Sequence, residues 1–163
     1  MPTLKNNPVQ LLGSFVFVSN PLPDFTLVGT DLKEYSLSDF PNKKLLLSIF
    51  PSIDTSVCSL AANVFYEKLQ SHTNLQLLLI SRDLPFALQR FCKDLKGTNM
   101  LALSAFRSEG FGKKYGVEIA SGPMKGLFTR AVLVTDQNHQ VCYTELVSEI
   151  TNEPNYDEAF KFI

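Results

Sequence analysis

The sequence predicts an α/β fold in which a central mixed β-sheet is flanked by helices and preceded by an N-terminal β-hairpin. Two apolar runs, residues 44–50 and 75–80, are each followed by a segment with the spacing of an amphipathic helix. Two later apolar runs, residues 131–135 and 141–147, are joined by a short polar segment, which is typical of a hairpin. Alternating strands and helices favour parallel pairing and the later hairpin adds antiparallel strands, so we expect helices on both faces of a mixed sheet.

The chain begins with residues 1–18, which we interpret as a β-hairpin extension. Its turn is expected at residues 5–8, where asparagine and proline cluster. Strand-forming residues lie on either side of Gly13, at 9–11 and at 15–18.

The remaining predicted elements follow without a linker, a repeat or a low-complexity tract, so we expect a single domain over residues 1–163. In order they are a strand at 25–28, a helical turn at 36–40, the strand at 44–50, a helix at 56–70, the strand at 75–80, a helix at 85–94, a strand at 100–103, a helix at 111–115, the two hairpin strands, and a C-terminal helix at 158–163. Pro85 fits the first position of its helix because the N–H group that proline lacks has no helical partner there. Gly116 is expected to end the short helix before it.

Composition excludes several classes of partner. The 163 residues carry a net charge of −1, which gives no electrostatic footprint for nucleic acid or for an anionic membrane surface. No apolar run reaches the ~18 residues of a membrane-spanning helix, and we recognise no signal peptide. Three cysteines are too few for a disulfide scaffold, and they favour functional thiols in a reducing cytoplasm.

Cys58 is the first candidate for chemistry, because it is expected in the first turn of a helix that follows a buried strand. Unpaired backbone N–H groups and the positive end of the helix dipole favour a thiolate at such a position, and the thiolate is the nucleophile. Asp54 or Thr55 could cap this helix, and Thr55 would share one side of the first turn with Cys58. Pro51 cannot donate a backbone hydrogen bond and would shield one side of the site. The alternative is a small buried cysteine with Thr55 as an ordinary cap.

The other candidates are Cys92, Cys142 and Arg130, and each has two interpretations. Cys92 has the helical spacing of a core residue, but it could instead be a resolving thiol that forms a disulfide with Cys58. Cys142 lies in a predicted strand, where packing is the favoured interpretation. Arg130 precedes an apolar strand, where it could be a surface charge or a fixed cation that stabilises a thiolate or a developing oxyanion.

Other kinds of site are disfavoured by the rest of the sequence. His72 and His139 are both expected in exposed loops, which argues against a cysteine–histidine hydrolase. The sequence has no C-x-x-C pair, so neither a zinc ribbon nor a thioredoxin-type dithiol fits. It also has no glycine-rich loop of the kind that binds phosphate.

Pro51, Thr55 and Cys58 together match the P-x-x-x-T-x-x-C motif of the peroxiredoxins. Three longer blocks resemble the thiol peroxidase branch of the atypical two-cysteine peroxiredoxins, namely residues 81–87 running into 90–92, residues 126–132, and residues 146–150 with 153–156. The N-terminal hairpin also resembles that branch. The resemblance covers nearly the whole chain.

This resemblance implies a thioredoxin-like fold, a homodimer and no bound cofactor. It implies that Cys58 is the peroxidatic cysteine, that Cys92 is the resolving cysteine in an intramolecular disulfide, that Thr55 and Arg130 activate the sulfur, and that Pro51 shields it. The substrates would be hydrogen peroxide and organic hydroperoxides, with thioredoxin as the electron donor. Cys142 has no counterpart in the family pattern.

Three alternatives remain at this point. A thioredoxin-fold redox sensor or binding module would keep Cys58 but lack efficient turnover. A glutathione-peroxidase-like enzyme is disfavoured because the sequence contains no tryptophan, which that family uses in its site. A purely structural domain would use its cysteines only for packing.

Overall fold

A computed structural model describes residues 1–95, 97 and 99–163, and within these residues it contains eleven strands and four α-helices. The strands are β1 (Thr3–Leu4), β2 (Asn7–Pro8), β3 (Leu11–Leu12), β4 (Thr26–Gly29), β5 (Glu34–Ser36), β6 (Lys44–Ile49), β7 (Leu75–Ser81), β8 (Met100–Ser104), β9 (Glu118–Ile119), β10 (Ala131–Thr135) and β11 (Val141–Leu146). The helices are α1 (Ser56–Leu69), α2 (Pro85–Cys92), α3 (Phe111–Tyr115) and α4 (Tyr156–Phe160), with a 3₁₀ turn at Leu37–Asp39. Across this described part of the chain, no helix has the length and apolar character needed to cross a membrane.

Seven strands form one mixed sheet in the order β11-β10-β6-β7-β8-β4-β5. The three central strands β6, β7 and β8 run parallel to one another, whereas β10 and β4 run antiparallel to their central neighbours. The predicted hairpin is confirmed as β10 and β11. The prediction of a mixed sheet is therefore confirmed, with parallel strands inside and antiparallel pairs at both edges.

The apolar core lies on both faces of this sheet. Along β6, Leu45, Leu47 and Ile49 point to one face, whereas Leu46 and the following Phe50 point to the other. The first face packs against α3, and the second packs against α1, α2 and α4. Because central strands are covered on both faces, the sequences of β6 and β7 are nearly continuous apolar runs. Burying each leucine side chain completely stabilises the folded state by roughly 1.5–3 kcal/mol.

The N-terminal hairpin is present but shorter than predicted. Only β1 and β2 pair with each other, through a two-residue turn in which Lys5 and Asn6 have φ angles of 50° and 65°. The predicted strand at 15–18 is wrong. The chain bends at Gly13, where a side chain would overlap the backbone of Lys113, and it then runs along α3 and buries Val16 in the core.

Three short strands and several helix ends also differ from the prediction, among them the end of α4 at Phe160 rather than 163. Neither β5 nor the pairing of β3 with β9 was predicted, because a strand of two or three residues leaves almost no periodic pattern. Helix α4 begins at Tyr156 rather than 158, because the Asn155 side chain accepts a hydrogen bond from Glu158 N–H and caps it. Helix α2 ends at Cys92 rather than 94.

The sheet topology brings two distant segments to one edge of the fold. Strand β6 ends at Ile49, and residues 50–55 connect it to α1. Strand β10 runs antiparallel to β6 and pairs Ala131 with Ile49, so the residues just before β10 lie beside this connection. The amino end of α1 and Arg130 therefore meet, although they are far apart in sequence.

Candidate active site

Cys58 lies in the first turn of α1, three residues after the N-cap residue Thr55. Its side chain is 1% exposed and packs with Phe50 and Ile53 in an apolar cluster. The first N–H groups of a helix have no partner within the helix, so they form a positively polarised end around this sulfur.

Arg130 is buried beside Cys58, and its guanidinium contacts the sulfur. Nη2 donates to Cys58 Sγ at 3.3 Å, and Nε donates to the carbonyl oxygen of Ile150 at 3.1 Å. The residue is 4% exposed, and no ion pair within the described residues includes it. A buried cation is costly unless polar groups meet it, and here the sulfur of Cys58 and the carbonyl oxygen of Ile150 are the groups that do so. The interpretation of Arg130 as a surface charge is wrong.

Thr55 occupies the N-cap position, but its hydroxyl does not cap the helix. Thr55 Oγ1 donates to the carbonyl oxygen of Ser52 at 3.0 Å, and Thr55 N–H donates to the same oxygen at 3.2 Å. Asp54 instead forms an exposed ion pair with Arg90 at 2.6 Å. The prediction that Asp54 or Thr55 caps α1 through its side chain is therefore wrong, because a tight turn and an ion pair hold these groups. The N–H groups of the first turn stay available to another acceptor.

A cavity of about 200 Å³ adjoins the contact between Cys58 and Arg130. Three predicted site residues line it, namely Pro51, Thr55 and Arg130. The rest of its wall is formed by Leu4, Ser56, Val57, Met124, Ile150 and Thr151. A largely apolar cavity with a few convergent polar groups is the usual form of a small-molecule site.

Cys92 is the last residue of α2, and it packs half-buried against the same apolar cluster that contains Cys58. Burial raises the pKa of the Cys92 thiol to about 11, because the thiolate would lose its hydration there. All three cysteines are free thiols. The two candidate thiols therefore share a packing cluster without being bonded.

Cys142 and the two histidines lie away from this group. Cys142 is on the edge strand β11, where its thiol donates to the Gln140 carbonyl at 3.5 Å. His139 Nε2 lies 3.0 Å from the carbonyl oxygen of Phe40, and His72 contacts the end of α1. Both histidines are half-buried rather than exposed as predicted, since each ring packs against backbone carbonyls.

Three residues near the site received no role from the sequence. Ile150 supplies the carbonyl that orients Arg130. Glu149 accepts from the N–H groups of Lys5 and Asn6, each at 3.0 Å, and so ties the N-terminal hairpin beside the cavity. Asp83 accepts from Ser52 Oγ and from Ile53 N–H, both at 2.7 Å. All three residues fall inside the blocks that resemble the thiol peroxidases, and that resemblance was the one signal for them in the sequence.

The carboxylate of Glu149 is held mainly as an anion. Hydrogen bonds from the Asn6 N–H, and also from Thr3, Lys5 and Thr151, lower the pKa of Glu149 to about 2. The hairpin that contributes Leu4 to the cavity wall is thus attached through a charge that persists at neutral pH.

Fold and site together define a thioredoxin-fold protein with a buried cysteine at a strand–helix junction, in contact with an arginine. The redoxin family model matches residues 17–160. A thiol peroxidase from Vibrio cholerae serotype O1 is 46% identical over 155 residues, which is 95% of this chain and 94% of that protein.

Solved structures agree. A peroxiredoxin-like protein from Aquifex aeolicus superposes with a TM-score of 0.90 at 36% identity, covering 99% of this chain and 96% of the other. A thiol peroxidase from Chromobacterium violaceum gives a TM-score of 0.90 at 25% identity, covering 98% and 93% of the two chains. The chain therefore belongs to the redoxin family and, within it, to the thiol peroxidases. It is a peroxiredoxin-type oxidoreductase, and the thioredoxin-like fold expected from the resemblance is confirmed.

Proposed function

We propose that this protein reduces hydrogen peroxide and organic hydroperoxides with Cys58 as the peroxidatic residue and Cys92 as the resolving residue. The observation that carries the proposal is the contact of 3.3 Å between Arg130 Nη2 and Cys58 Sγ at the amino end of α1. The apolar wall of the adjoining cavity supports organic as well as inorganic hydroperoxides as substrates.

In the first step, the Cys58 thiolate attacks the terminal oxygen of the hydroperoxide. A sulfur–oxygen bond forms, the O–O bond breaks, and the leaving oxygen takes up a proton to become an alcohol, or water from hydrogen peroxide. The sulfur is oxidised by two electrons to a sulfenic acid, and the peroxide is reduced by the same two.

Arg130 acts mainly on the transition state of this step. Favouring the thiolate raises the amount of nucleophile but lowers its intrinsic reactivity, with a Brønsted slope of ~0.4–0.5, so ionisation alone accelerates the reaction only modestly. Charge builds on both peroxide oxygens as the O–O bond stretches. The guanidinium and the uncapped N–H groups of the first turn are already in position before that charge develops. Donors placed in advance in this way stabilise a charged transition state most effectively, because they need not reorient during the reaction.

Thr55 and Pro51 shape the approach of the peroxide. The Thr55 hydroxyl donates to Ser52, so its oxygen can still accept a hydrogen bond from the hydroperoxide O–H group. Pro51 lacks an N–H group and forms a wall of the cavity, which keeps a competing donor away from the sulfur.

In the second step, the Cys92 sulfur attacks the sulfenic sulfur of Cys58. A disulfide forms and hydroxide leaves as water after protonation. Because Cys58 is 1% exposed and bound to Arg130, its sulfur must leave the guanidinium before a half-buried Cys92 can reach it. We propose that the first turn of α1 and the end of α2 unwind locally for this step.

In the third step, a dithiol reductant restores both cysteines by thiol–disulfide exchange and becomes a disulfide itself. We propose thioredoxin as this reductant, a homodimer as the working assembly, and a reducing compartment such as the cytoplasm, because the thiols must be regenerated after each turnover. No bound cofactor is required by these steps.

The test is mass spectrometry of the protein after one equivalent of hydrogen peroxide, followed by a turnover assay with thioredoxin and its reductase. We expect a single disulfide between Cys58 and Cys92 and many turnovers per chain. A disulfide that involves Cys142 would contradict the assignment of the resolving residue. Saturation after one equivalent would favour the redox sensor instead.

A further inference from the structure

Asp83 connects the two cysteine-bearing segments of the molecule. Its carboxylate Oδ1 accepts from Ser52 Oγ and its Oδ2 accepts from Ile53 N–H, both at 2.7 Å. Ser52 and Ile53 belong to the connection between β6 and α1, here called the Cys58 loop (residues 50–55). Asp83 itself lies two residues before α2, the helix that ends at Cys92.

The Asp83 side of this connection is rigidly anchored. Ser81, the last residue of β7, donates its Oγ hydrogen to Asp83 Oδ2 at 2.7 Å. Asp83 N–H donates to Ser81 Oγ at 3.2 Å, and Ser104 at the end of β8 donates its hydroxyl to the Asp83 carbonyl. Both serines are 0% exposed. Asp83 is therefore fixed to two central strands, through its carboxylate to β7 and through its backbone carbonyl to β8, and its carboxylate also reaches the Cys58 loop.

We propose, on the basis of the function proposed above, that Asp83 is a positioning residue that holds the Cys58 loop closed and thereby sets the fate of the sulfenic acid. While the loop is closed, Cys58 stays against Arg130 and a second hydroperoxide can oxidise the sulfenic acid to a sulfinic acid, with release of one alcohol or water. When the bonds to Ser52 and Ile53 open, the sulfenic sulfur is free to move towards Cys92.

Two features make Asp83 suited to this role. Hydrogen bonds to an ionised carboxylate are stronger than neutral ones, so losing the charge changes the opening equilibrium substantially. The bonds join the loop to the strand ends without touching either sulfur, so they can control opening without entering the reaction. The exposed ion pair between Arg90 of α2 and Asp54 of the same loop adds a weaker second link.

The experiment compares three variants, Asp83→Asn, Ser52→Ala and Ser81→Ala. Ser52→Ala removes a bond that bridges to the Cys58 loop. Ser81→Ala is the matched control, because it also removes a hydrogen bond to the Asp83 carboxylate, but one that comes from β7 and not from the Cys58 loop. Hydrogen exchange of the reduced proteins is measured by mass spectrometry, and sulfinic acid at Cys58 is then measured after rising doses of hydrogen peroxide with the reductant present.

We expect exchange in residues 52–58 to rise about tenfold in Asp83→Asn, by a smaller factor in Ser52→Ala, and least in Ser81→Ala. Sulfinic acid per turnover should fall in the same order. Unchanged exchange in Asp83→Asn and Ser52→Ala would overturn the proposal, as would faster exchange without less sulfinic acid. If Asp83→Asn does not fold, the comparison of Ser52→Ala with Ser81→Ala decides the question.

The exchange measurement uses unoxidised protein and needs no peroxidase chemistry. Failure of the wild-type protein to form the Cys58–Cys92 disulfide would count against the proposed function, whereas normal disulfide formation with an unchanged exchange pattern would count against the role of Asp83 alone.

Discussion

Cys58 and Cys92 occupy opposite ends of their helices, and their surroundings differ accordingly. Cys58 is in the first turn of α1, where backbone N–H groups and the guanidinium of Arg130 surround the sulfur. Cys92 is the last residue of α2, where desolvation raises the pKa of its thiol to about 11. The two cysteine side chains therefore have different chemical environments, set by the helix end at which each lies and by the charged groups nearby.

In the proposed mechanism, this difference in environment makes peroxide reduction at Cys58 come first and disulfide formation with Cys92 come second. In this mechanism, Cys58 reacts with peroxide beside the Arg130 guanidinium while the protein is fully folded. A sulfur kept neutral by burial becomes a good nucleophile only after local opening returns it to water. Cys92 therefore does not compete for peroxide in the proposed mechanism, and the local opening of the fold is part of the reaction.

The largest expected effect on peroxide consumption comes from replacing each of the two cysteines by serine. Cys58→Ser should lower peroxide consumption by about 10³-fold or more, because an alcohol is a far weaker nucleophile than a thiolate. Cys92→Ser should still consume one equivalent and then stop, with the oxidised sulfur trapped at Cys58. Stoichiometric titration with hydrogen peroxide distinguishes the two variants. Sustained turnover by Cys92→Ser with thioredoxin would show that the two cysteines do not have separate roles.

The second largest effect is expected when the guanidinium of Arg130 is replaced. Arg130→Lys keeps the charge but loses the planar pair of donors that reaches both Cys58 Sγ and Ile150 O, so Cys58 oxidation should slow by about 10²–10³-fold. Stopped-flow kinetics with hydrogen peroxide measures this rate. The control is Arg107→Lys, which alters an exposed ion pair with Glu34 and should stay within about twofold of wild type. A near-wild-type rate in Arg130→Lys would remove the guanidinium from the mechanism.

A third effect concerns the pKa of Cys92. Burial raises it from 9.0 to about 11, so at pH 8 the folded protein holds roughly 100-fold less Cys92 thiolate than an exposed cysteine would. Iodoacetamide labelling of Cys92 in a Cys58→Ser background should rise about tenfold per pH unit and level off only near pH 11. Because the folded state favours the neutral thiol, its contribution to stability is present below pH 9 and is lost as the pH rises through about 11. Labelling that levels off near pH 8 would mean that the thiol is solvated in the resting protein.

A fourth effect follows from local opening. Residues 54–60 and 88–95 should exchange amide hydrogens differently in the reduced and the disulfide forms, because the proposed disulfide step moves Cys58 away from Arg130 and unwinds both helix ends. Hydrogen exchange followed by mass spectrometry gives this comparison. Superimposable profiles in the two forms would exclude unwinding as the link between them.

The smallest expected effect is at the hairpin. Glu149→Gln removes the anion that accepts from Lys5 and Asn6, so exchange of the N-terminal amides should rise while the fold of the sheet is retained. In the wild-type protein the pKa of Glu149 is depressed from 4.5 to about 2, so its contribution to stability is present above pH 4.5 and is lost as the pH falls through about 2. Equal exchange in both proteins at neutral pH would show that the hairpin is held by other contacts.

Long periodic segments made most of the fold predictable. The buried strands β6 and β7 and the helix α1 leave long apolar patterns, and the short helix α3 is bounded by a glycine with a φ of 66°. The two-residue strands β3 and β9 had no such signal, and the segment 15–18 resembled a strand because all four of its residues are apolar, although Phe17 and Val18 are exposed. Whether such a short segment forms a strand depends on its pairing partner, which lies elsewhere in the chain.

The site was predictable only where sequence position fixes geometry. The position of Cys58 at the start of α1 follows from the order of strand and helix, but the contact with Arg130 depends on the antiparallel pairing of β10 with β6. The direction of the Thr55 hydroxyl could not be predicted, because a capping bond and a turn bond are both available to a threonine. The bonds of Asp83 and Glu149 join residues far apart in the chain and leave no pattern in one sequence.

The pairing of Ala131 with Ile49 has a consequence for how this protein can change over evolution or by design. A slip of one residue between these two strands would move Arg130 about 3.3 Å and turn its side chain to the other face of the sheet. A deletion between Gly126 and Arg130 is therefore expected to be far more damaging to catalysis than an insertion in the 136–140 turn, which lies beyond the other end of the pair. Given the role proposed for Arg130, strand register becomes a determinant of enzymatic rate in this molecule.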